Sequence, residues 1–325
     1  MLFLWPAVIG RAQQSTDHVI IISFDGLRPD AITQLGPKLA PNFYAAINNG
    51  ASTLNARTDP DKTVTMPNHT CMITGRGVLG ENGHGYVDNR STGLSIHANK
   101  ERYVASIFDV AKEHGLTTGF FASKLKFQVF LNSYGENQSL SRTSKIDIHY
   151  LTDQNDQLTL QYLLKQMRKD LPSLTFVHFA GPDKAGHRHG WSLAQGSSYL
   201  SAVQREDGYL GKIIKMIQGQ PSLARSTIVF ITSDHGGTGM NHFDITKEED
   251  YRVPFIIWGK GVAAGINLYK MNTDIRKDPG NKQIPYGEQR QPIRNGDVAN
   301  GALYALGLPP VPGSTIGNPD PVRSN

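Results

Sequence analysis

The sequence is poor in cysteine: Cys71 is the single one among 325 residues. One cysteine cannot form a disulfide within the chain, so a small disulfide-stabilised scaffold is excluded. A chain of this length buries a large enough fraction of its surface to fold without such cross-links. The length therefore favours one large α/β domain or two small ones.

Long apolar runs and blocks of basic residues are also missing. No segment is long and apolar enough to predict a membrane-spanning helix. The formal net charge is +5, but the lysines and arginines are spread along the chain rather than clustered. This distribution argues against a nucleic-acid-binding module and leaves a weak attraction for small anionic substrates.

The N-terminal segment, MLFLWPAVIGRAQQ, is apolar and then ends in Ala-Gln-Gln. This pattern is typical of the end of a secretory signal peptide, so residues 1–14 predict a secreted or periplasmic protein. An ordinary apolar N-terminal segment is the alternative. Residues 15–325 contain no repeat or linker, which predicts a single domain. Within it, residues 76–102 and 127–160 are expected to form cap insertions over a site.

Three runs rich in β-branched residues are typical of buried parallel strands. An aspartate follows each run: Asp25, Asp183 and Asp234. In open α/β sheets, ligands bind outside the carboxyl ends of the strands. We therefore expect these three carboxylates to converge on one site. The strand runs are residues 18–24, 174–180 and 227–233, and helical periodicity lies between them at residues 104–114, 157–170 and 197–218.

Histidines accompany these aspartates. His187 lies four residues after Asp183, His235 directly follows Asp234, and His242 lies seven residues later. Carboxylate and imidazole together are the ligands of zinc-like divalent ions. Each residue alone has a simpler explanation, such as a turn aspartate or a loop histidine. The whole set in this order is what predicts a metal site.

The stretch TVTMPNHTCMITG, residues 63–75, places Thr65 just before a short apolar run. A buried helix does not require a Thr-x-Pro opening, whereas a reactive hydroxyl at a helix N-terminus explains it. A divalent ion beside Thr65 would make the hydroxyl acidic enough to attack near neutral pH. Two such ions stabilise the attacking and leaving oxygens of an in-line phosphoryl transfer. Thr65 is therefore the predicted nucleophile.

These motifs resemble the alkaline phosphatase superfamily, most closely its type I phosphodiesterase/nucleotide pyrophosphatase family. The resemblance covers residues 18–262 and resumes at 297–317. It implies an alkaline phosphatase-like three-layer α/β sandwich, with a mostly parallel central sheet, helices on both faces and a small cap. It also implies a phosphoric ester hydrolase that forms a covalent phospho-threonine intermediate.

The resemblance further implies two divalent metal ions, with zinc favoured by the ligand types. His242 is its least regular element, because the last histidine of typical family members follows a long insertion. Either His242 supplies that imidazole or the site lacks it. Residues 264–325 contain no histidine, so we expect His242. The implied ligands are Asp183, His187 and His242 for one ion, and Asp25, Thr65, Asp234 and His235 for the other.

Three further residues are candidates for contacting the phosphoryl group. Asn89 matches the family's asparagine that donates to a phosphoryl oxygen, with a turn asparagine as the alternative. Lys124 and Lys126, in FASKLKF, lie where some phosphomonoesterases of the superfamily carry Lys-x-Arg. An extra cation favours a monoester, which carries one more negative charge than a diester. Solvated lysines on an edge strand are the alternative, so the class of small phosphate ester stays open.

Three competing functions are less well supported. A sulfatase requires cysteine or serine at the nucleophile position, which here is Thr65. A phosphoethanolamine transferase of the superfamily would normally carry membrane helices, and no such segment is indicated. An inactive metal-binding homologue would have no need of an intact nucleophile beside a near-complete ligand set.

Overall fold

The computed structural model describes residues 16–90, 93–135 and 144–317. Residues 1–14, the predicted remnant of a signal peptide, lie outside this part of the chain. The described strands form one eight-stranded sheet. In chain order they are β1 His18–Phe24, β2 Ala51–Arg57, β3 Thr118–Ala122, β4 Ile148–Leu151, β5 Leu174–Phe179, β6 Thr227–Thr232, β7 Arg252–Gly259 and β8 Ile266–Asn267.

The strand order across the sheet is β4-β3-β5-β1-β6-β7-β2-β8. Strand β1 lies in the middle and pairs in parallel with β5 on one side and β6 on the other. Strand β7 runs antiparallel to both of its neighbours, β6 and β2. The remaining pairs are parallel, which confirms the prediction of a mostly parallel sheet. The carboxyl ends of β3, β5, β1 and β6 therefore share one edge.

Helices connect the strands and cover both faces of the sheet. In chain order they are α1 Pro29–Leu39, α2 Pro41–Asn48, α3 Thr65–Thr74, α4 Ile107–Glu113, α5 Gln128–Tyr134, α6 Asp156–Lys169, α7 Gly181–His189, α8 Ser198–Gln218, α9 Pro221–Ala224, α10 Glu248–Tyr251, α11 Leu268–Met271 and α12 Asp297–Ala305, with short 3₁₀ helices at Ile96–Lys100 and Leu125–Phe127. Among the described helices, none is both long and apolar enough to cross a bilayer.

Two hydrophobic cores lie on opposite faces of the sheet, because successive side chains of a strand point to opposite sides. Val19 and Ile21 of β1 belong to one core, which also holds residues of α3, α4 and α12. Ile20 and Ile22 belong to the other, which holds residues of α1, α2, α6 and α8. The arrangement confirms the three-layer α/β sandwich.

The two segments expected to form caps differ in structure. The described part of residues 76–102 is loop with one 3₁₀ helix. Residues 127–160 instead contain α5, the start of α6 and strand β4, and β4 pairs with β3 at the edge of the sheet. The second segment therefore extends the central sheet, and a capping role for either segment stays a prediction.

Candidate metal centre

Four adjacent strands place the candidate residues side by side. Strands β3, β5, β1 and β6 end at one edge, and Lys124, Asp183, Asp25 and Asp234 lie within four residues after them. Hydrogen bonds join the loops: the Asp183 N–H donates to the Asp25 carbonyl at 2.9 Å, and the Gly26 N–H donates to Asp234 Oδ1 at 3.1 Å. The predicted convergence of the three aspartates is thus present in the structure.

Thr65 is the first residue of α3. The preceding residue, Val64, is extended (φ −128°, ψ 143°), so the helix begins abruptly, and it ends at the left-handed Gly75. All ten residues of α3 are buried. The Thr65 Oγ1 lies 3.3 Å from Nε2 of His235. A hydroxyl at this position faces the positive end of the helix dipole, which favours negative charge on the oxygen or on a bound phosphoryl group.

The acidic and imidazole side chains form two overlapping groups, in each of which the candidate ligand atoms lie within 4.8 Å of one another. His235 belongs to both, and its Nε2 lies 3.2 Å from Asp234 Oδ2 and 3.4 Å from Asp25 Oδ1. The ring of His242 stacks on that of His235 with 3.5 Å between centroids. The two groups are Asp25, Asp234 and His235, and Asp183, His235 and His242.

His187 lies at the rim of the second group, with its side chain 40% exposed. Its Nε2 is 3.3 Å from Asp183 Oδ1, and its Nδ1 donates to the Met240 carbonyl at 3.0 Å. The neighbouring Asp183 carboxylate raises the pKa of His187. The structure therefore brings all seven predicted ligands to one place, with His187 as the most exposed of the three histidines.

The buried imidazoles are oriented as metal ligands are. Nδ1 of His235 donates to the Gly236 carbonyl at 2.8 Å, and Nδ1 of His242 donates to the Thr63 carbonyl at 2.6 Å. Because a carbonyl only accepts, each ring presents the lone pair of Nε2 to the site. Burial lowers the pKa of His235, and burial together with His235 lowers the pKa of His242 to about 3. Both rings are therefore neutral near pH 7.

Four buried side-chain atoms in the site receive no hydrogen bond from the described residues. They are Asp25 Oδ1, Asp183 Oδ1, Asp234 Oδ2 and His242 Nε2. Carboxylate oxygens and imidazole lone pairs repel one another, and buried groups without partners are costly. Divalent cations would satisfy all of these atoms, and oxygen and nitrogen donors in this mixture suit zinc-like ions. The site therefore fits a pair of divalent metal ions.

Lys124 and Lys126 make different contacts, although the sequence presents them as a pair. Lys124 Nζ donates to Asp25 Oδ2 at 2.7 Å and to Asp183 Oδ2 at 2.6 Å. Burial alone would lower the pKa of Lys124, but these two carboxylates outweigh it and raise the pKa. Lys126 Nζ instead donates to Asn89 Oδ1 at 2.9 Å. Burial, and then the charge of Lys124, lower the pKa of Lys126 to about 8.

Asn89 reaches the N-terminus of α3 from the loop 76–102. Its Oδ1 accepts hydrogen bonds from the Met66 N–H at 3.3 Å and from Lys126. With Oδ1 fixed in this way, the Nδ2 amide is left without an acceptor among the described residues. The amide is thus a donor near the N-terminus of α3, where the resemblance implies a contact to a phosphoryl oxygen.

His178 is a residue of this site that sequence reasoning missed. It lies inside the apolar run of β5, and its Nε2 donates to Asp25 Oδ2 at 2.8 Å. Its Nδ1 accepts from the Ser123 N–H at 3.3 Å. A histidine inside an otherwise apolar buried strand was the available signal, because such a group needs polar partners.

The three aspartates differ electrostatically. Burial raises the pKa of Asp25, but Lys124 and the hydrogen bond from His178 outweigh it and hold the pKa well below its usual range. Burial and Asp25 also raise the pKa of Asp183, yet Lys124 and His187 lower it overall. No lysine of the described residues donates to Asp234, and burial together with Asp25 raises its pKa well above the usual range.

Cys71 lies inside α3 and is fully buried. Its Sγ is 3.4 Å from His84 Nε2. Burial, and then Asp59, raise the pKa of the thiol well above its usual range. A buried, protonated thiol is inert, so this cysteine does not supply a nucleophile.

Residues 19–283 match the sequence pattern of the type I phosphodiesterase/nucleotide pyrophosphatase family. The chain belongs to this family. This confirms the resemblance seen in the motifs around Asp25, Thr65, Asp183 and Asp234.

Individual relatives are distant. Bis(5'-adenosyl)-triphosphatase enpp4 of Xenopus laevis is 26% identical over 244 residues, which cover 73% of this chain and 50% of the relative. GPI ethanolamine phosphate transferase 1 of Candida glabrata is 23% identical over 331 residues, which cover 94% of this chain and 34% of the relative. This family member thus spans half the length of the first relative and about a third of the second.

Among solved structures, murine ectonucleotide pyrophosphatase/phosphodiesterase 5 has a similar fold. The TM-score is 0.51 at 23% sequence identity, over 69% of this chain and 58% of the murine one. At this identity the similarity supports the shared fold only, and the chemistry of the family member has to be argued from its own residues.

Proposed function

We propose that this family member is a two-metal phosphoric ester hydrolase of the phosphodiesterase/nucleotide pyrophosphatase type. The observation that supports it best is the placement of Thr65 Oγ1 3.3 Å from His235 Nε2. His235 belongs to both groups of candidate metal ligands. A hydroxyl at a helix N-terminus, beside buried atoms that require cations, is the arrangement that nucleophilic phosphoryl transfer needs.

Asp25, Asp234 and His235 would hold one ion next to Thr65, and Asp183, His187 and His242 would hold the other. When bound, the two ions would neutralise the carboxylates, lower the pKa of the Thr65 hydroxyl and stabilise charge on the transferring phosphoryl group. We propose zinc, because imidazole and carboxylate donors both suit it.

The protein's own residues would then position and stabilise the reacting groups. Thr65 Oγ attacks phosphorus, and the bond to the ester oxygen on the opposite side breaks, so that an alcohol or phosphate leaves. The N-terminus of α3 and the Nδ2 amide of Asn89 donate to the non-bridging oxygens as charge develops there. Water then cleaves the phospho-threonine and restores the Thr65 hydroxyl.

The test is hydrolysis of a chromogenic phosphodiester by zinc-loaded protein and by Thr65→Ala. We expect Thr65→Ala to lose essentially all turnover while its zinc content stays that of the wild type. Thr65→Ser keeps a hydroxyl and serves as the control, retaining measurable activity. Wild-type turnover by Thr65→Ala would remove Thr65 from the nucleophile role. Zinc binding without turnover of any ester by the wild type would instead support an inactive metal-binding homologue.

A phosphomonoesterase is the second candidate, and the contact between Lys126 and Asn89 favours it. Lys126 places an ammonium group next to the amide that would bind a phosphoryl oxygen. The extra negative charge of a monoester gains more from that cation than a diester does. We expect Lys126→Met to lower kcat/KM for the monoester more than for the matching diester. Equal effects on both esters would contradict a monoester preference set by Lys126.

The acceptor of the phosphoryl group also needs a test, because one relative is a transferase. The chain spans only part of that relative, so the lack of a membrane-spanning helix among the described residues does not separate hydrolysis from transfer. A phospho-threonine can react with water or with an alcohol. Product analysis in the presence of ethanolamine distinguishes them. We expect hydrolysis, which gives a phosphomonoester from a diester and free phosphate from a monoester. A product in which ethanolamine oxygen is esterified to the transferred phosphoryl group would indicate transfer.

A further inference from the structure

Lys124 contacts one carboxylate from each candidate metal group. Its Nζ donates to Oδ2 of Asp25 at 2.7 Å and to Oδ2 of Asp183 at 2.6 Å. The other oxygen of each carboxylate, Oδ1, is buried and accepts no hydrogen bond from the described residues. Those Oδ1 atoms face His235 Nε2, at 3.4 Å for Asp25 and 3.9 Å for Asp183. Lys124 and the candidate metal sites thus use opposite oxygens of the same two side chains.

We propose that Lys124 is a positioning residue that couples the two metal sites by fixing the orientation of Asp25 and Asp183. The proposal rests on the two-metal site described above. With Oδ2 of each carboxylate held by one ammonium group, each Oδ1 is directed toward the ligand atoms of its own group. A single side chain then fixes one ligand of each ion.

The surroundings of Lys124 favour this role over a direct contact with phosphate. Its side chain is only 11% exposed. Both of its hydrogen bonds to carboxylates join charged groups, and such hydrogen bonds are stronger than those between neutral groups. Two of the three N–H donors of its ammonium group are bound by these carboxylates, which fixes the group between Asp25 and Asp183. Lys126 has no carboxylate contact within the described residues, and it remains the candidate for the phosphate.

The positioning role makes a prediction whose sign differs from that of a simple charge effect. A cation beside a metal site repels the metal, so removing the charge of Lys124 should strengthen metal binding if charge alone matters. If Lys124 orients the two carboxylates, removing it should weaken binding instead. Outer-shell residues of this kind typically change metal affinity by about 10–100-fold.

His178 and Lys126 provide matched comparisons. His178 donates to Asp25 Oδ2 and to neither oxygen of Asp183, so His178→Gln should weaken one ion only. Lys126 donates to Asn89 and to no metal ligand, so Lys126→Met removes a nearby charge without freeing a carboxylate. Lys124→Met, which is similar in length to lysine but has no donor, should weaken both ions.

The experiment is a titration of metal-free protein with Zn²⁺ against a competing chromogenic chelator, with bound zinc counted by mass spectrometry. We expect two ions in the wild type and about 10–100-fold weaker binding of both in Lys124→Met. We expect one weakened ion in His178→Gln and no weakening of either ion in Lys126→Met. Unchanged or tighter binding of both ions by Lys124→Met overturns the positioning role.

A second variant decides the matter if Lys124→Met does not fold. Lys124→Arg keeps the positive charge, but a planar guanidinium cannot reproduce the single bridging nitrogen. Positioning predicts weaker binding of both ions, whereas a charge effect predicts wild-type affinity. The readout does not require turnover. If the wild type binds two ions and neither Lys124 variant changes their affinity, this inference alone is contradicted. Failure of the wild type to bind two ions contradicts the proposed function itself.

Discussion

Gly26 allows the loops after β1 and β5 to approach each other closely, and replacing it with alanine should separate two candidate metal ligands. Gly26 has a φ of +70°, and a Cβ added there would lie 2.9 Å from the Cα of Asp183. Ordinary van der Waals contact begins at 3.4 Å, so the Asp183 backbone would have to move by about 0.5 Å. Asp25 precedes Gly26 directly, so this movement changes the spacing of the Asp25 and Asp183 carboxylates.

Gly26→Ala should have two separate effects: backbone strain at residue 26 and displacement of the Asp183 backbone. An L-residue in the left-handed region costs about 1–2 kcal/mol of stability, which lowers Tm by a few degrees in a protein of this size. A displacement of 1 Å can cost about 100-fold in rate, so about 0.5 Å should lower kcat/KM roughly 10-fold. The assay is ester hydrolysis at saturating zinc, with Tm and zinc content measured on the same samples.

Gly196→Ala is the matched control. Gly196 also has a positive φ, +78°, but an added Cβ there meets nothing within 4 Å. We expect a similar loss of Tm with unchanged kcat/KM, because the strain is present without the displacement. Wild-type kcat/KM and zinc content in Gly26→Ala would refute the idea that this contact sets the spacing of the two sites.

Three further predictions concern pH, metal and processing. Burial, and then Asp156, raise the pKa of the buried Glu206 well above its usual range, while Arg205 lies 4.0 Å from Oε1 and is 53% exposed. The folded state therefore keeps a proton that the unfolded chain loses, so stability falls as pH rises above the unfolded pKa. As the pH rises from roughly 5 to 8, the Tm of Glu206→Gln should fall less than that of the wild type. Equal falls in Tm for the two proteins would contradict this. Zinc at about 1,000 times Kd should stabilise the folded protein by about 4 kcal/mol per site relative to chelated protein, measured as Tm, and no shift on chelation would count against the site. Export predicts a mature N-terminus at or near residue 15, and intact residues 1–14 in N-terminal sequencing of the exported protein would contradict cleavage.

The local sequence was sufficient to predict the central strands and the helices between them at Ile107–Glu113, Asp156–Lys169 and Ser198–Gln218. Continuous β-branched runs over His18–Phe24 and Leu174–Phe179 have little alternative to a buried parallel strand, and both strands lie where expected. Strand β2, ASTLNAR, and the five-residue strand β3 were not predicted. Their apolar patterns are short or mixed with polar residues, and pairing with neighbouring strands stabilises them in a way that a local pattern does not reveal.

The sequence also predicted some parts of the candidate site and missed others. Aspartate and histidine residues after buried strands indicated a metal centre because few structural roles require that combination. His178 was missed because its function depends on Asp25, which is 153 residues away in the chain. The roles of Lys124 and Lys126 were not separable either, since two lysines two residues apart in sequence have nearly the same local environment.

The sequence by itself determined the chemistry of this protein: which side chains can donate, accept, bind a cation or attack phosphorus. It also determined the α/β class through the spacing of apolar residues. Only the tertiary structure decided which carboxylate oxygen faces the candidate metals and which lysine holds it in place. The physical reason is that hydrogen bonds and Coulomb interactions act over a few ångströms, and parallel pairing of β3, β5, β1 and β6 sets those distances between residues far apart in the chain.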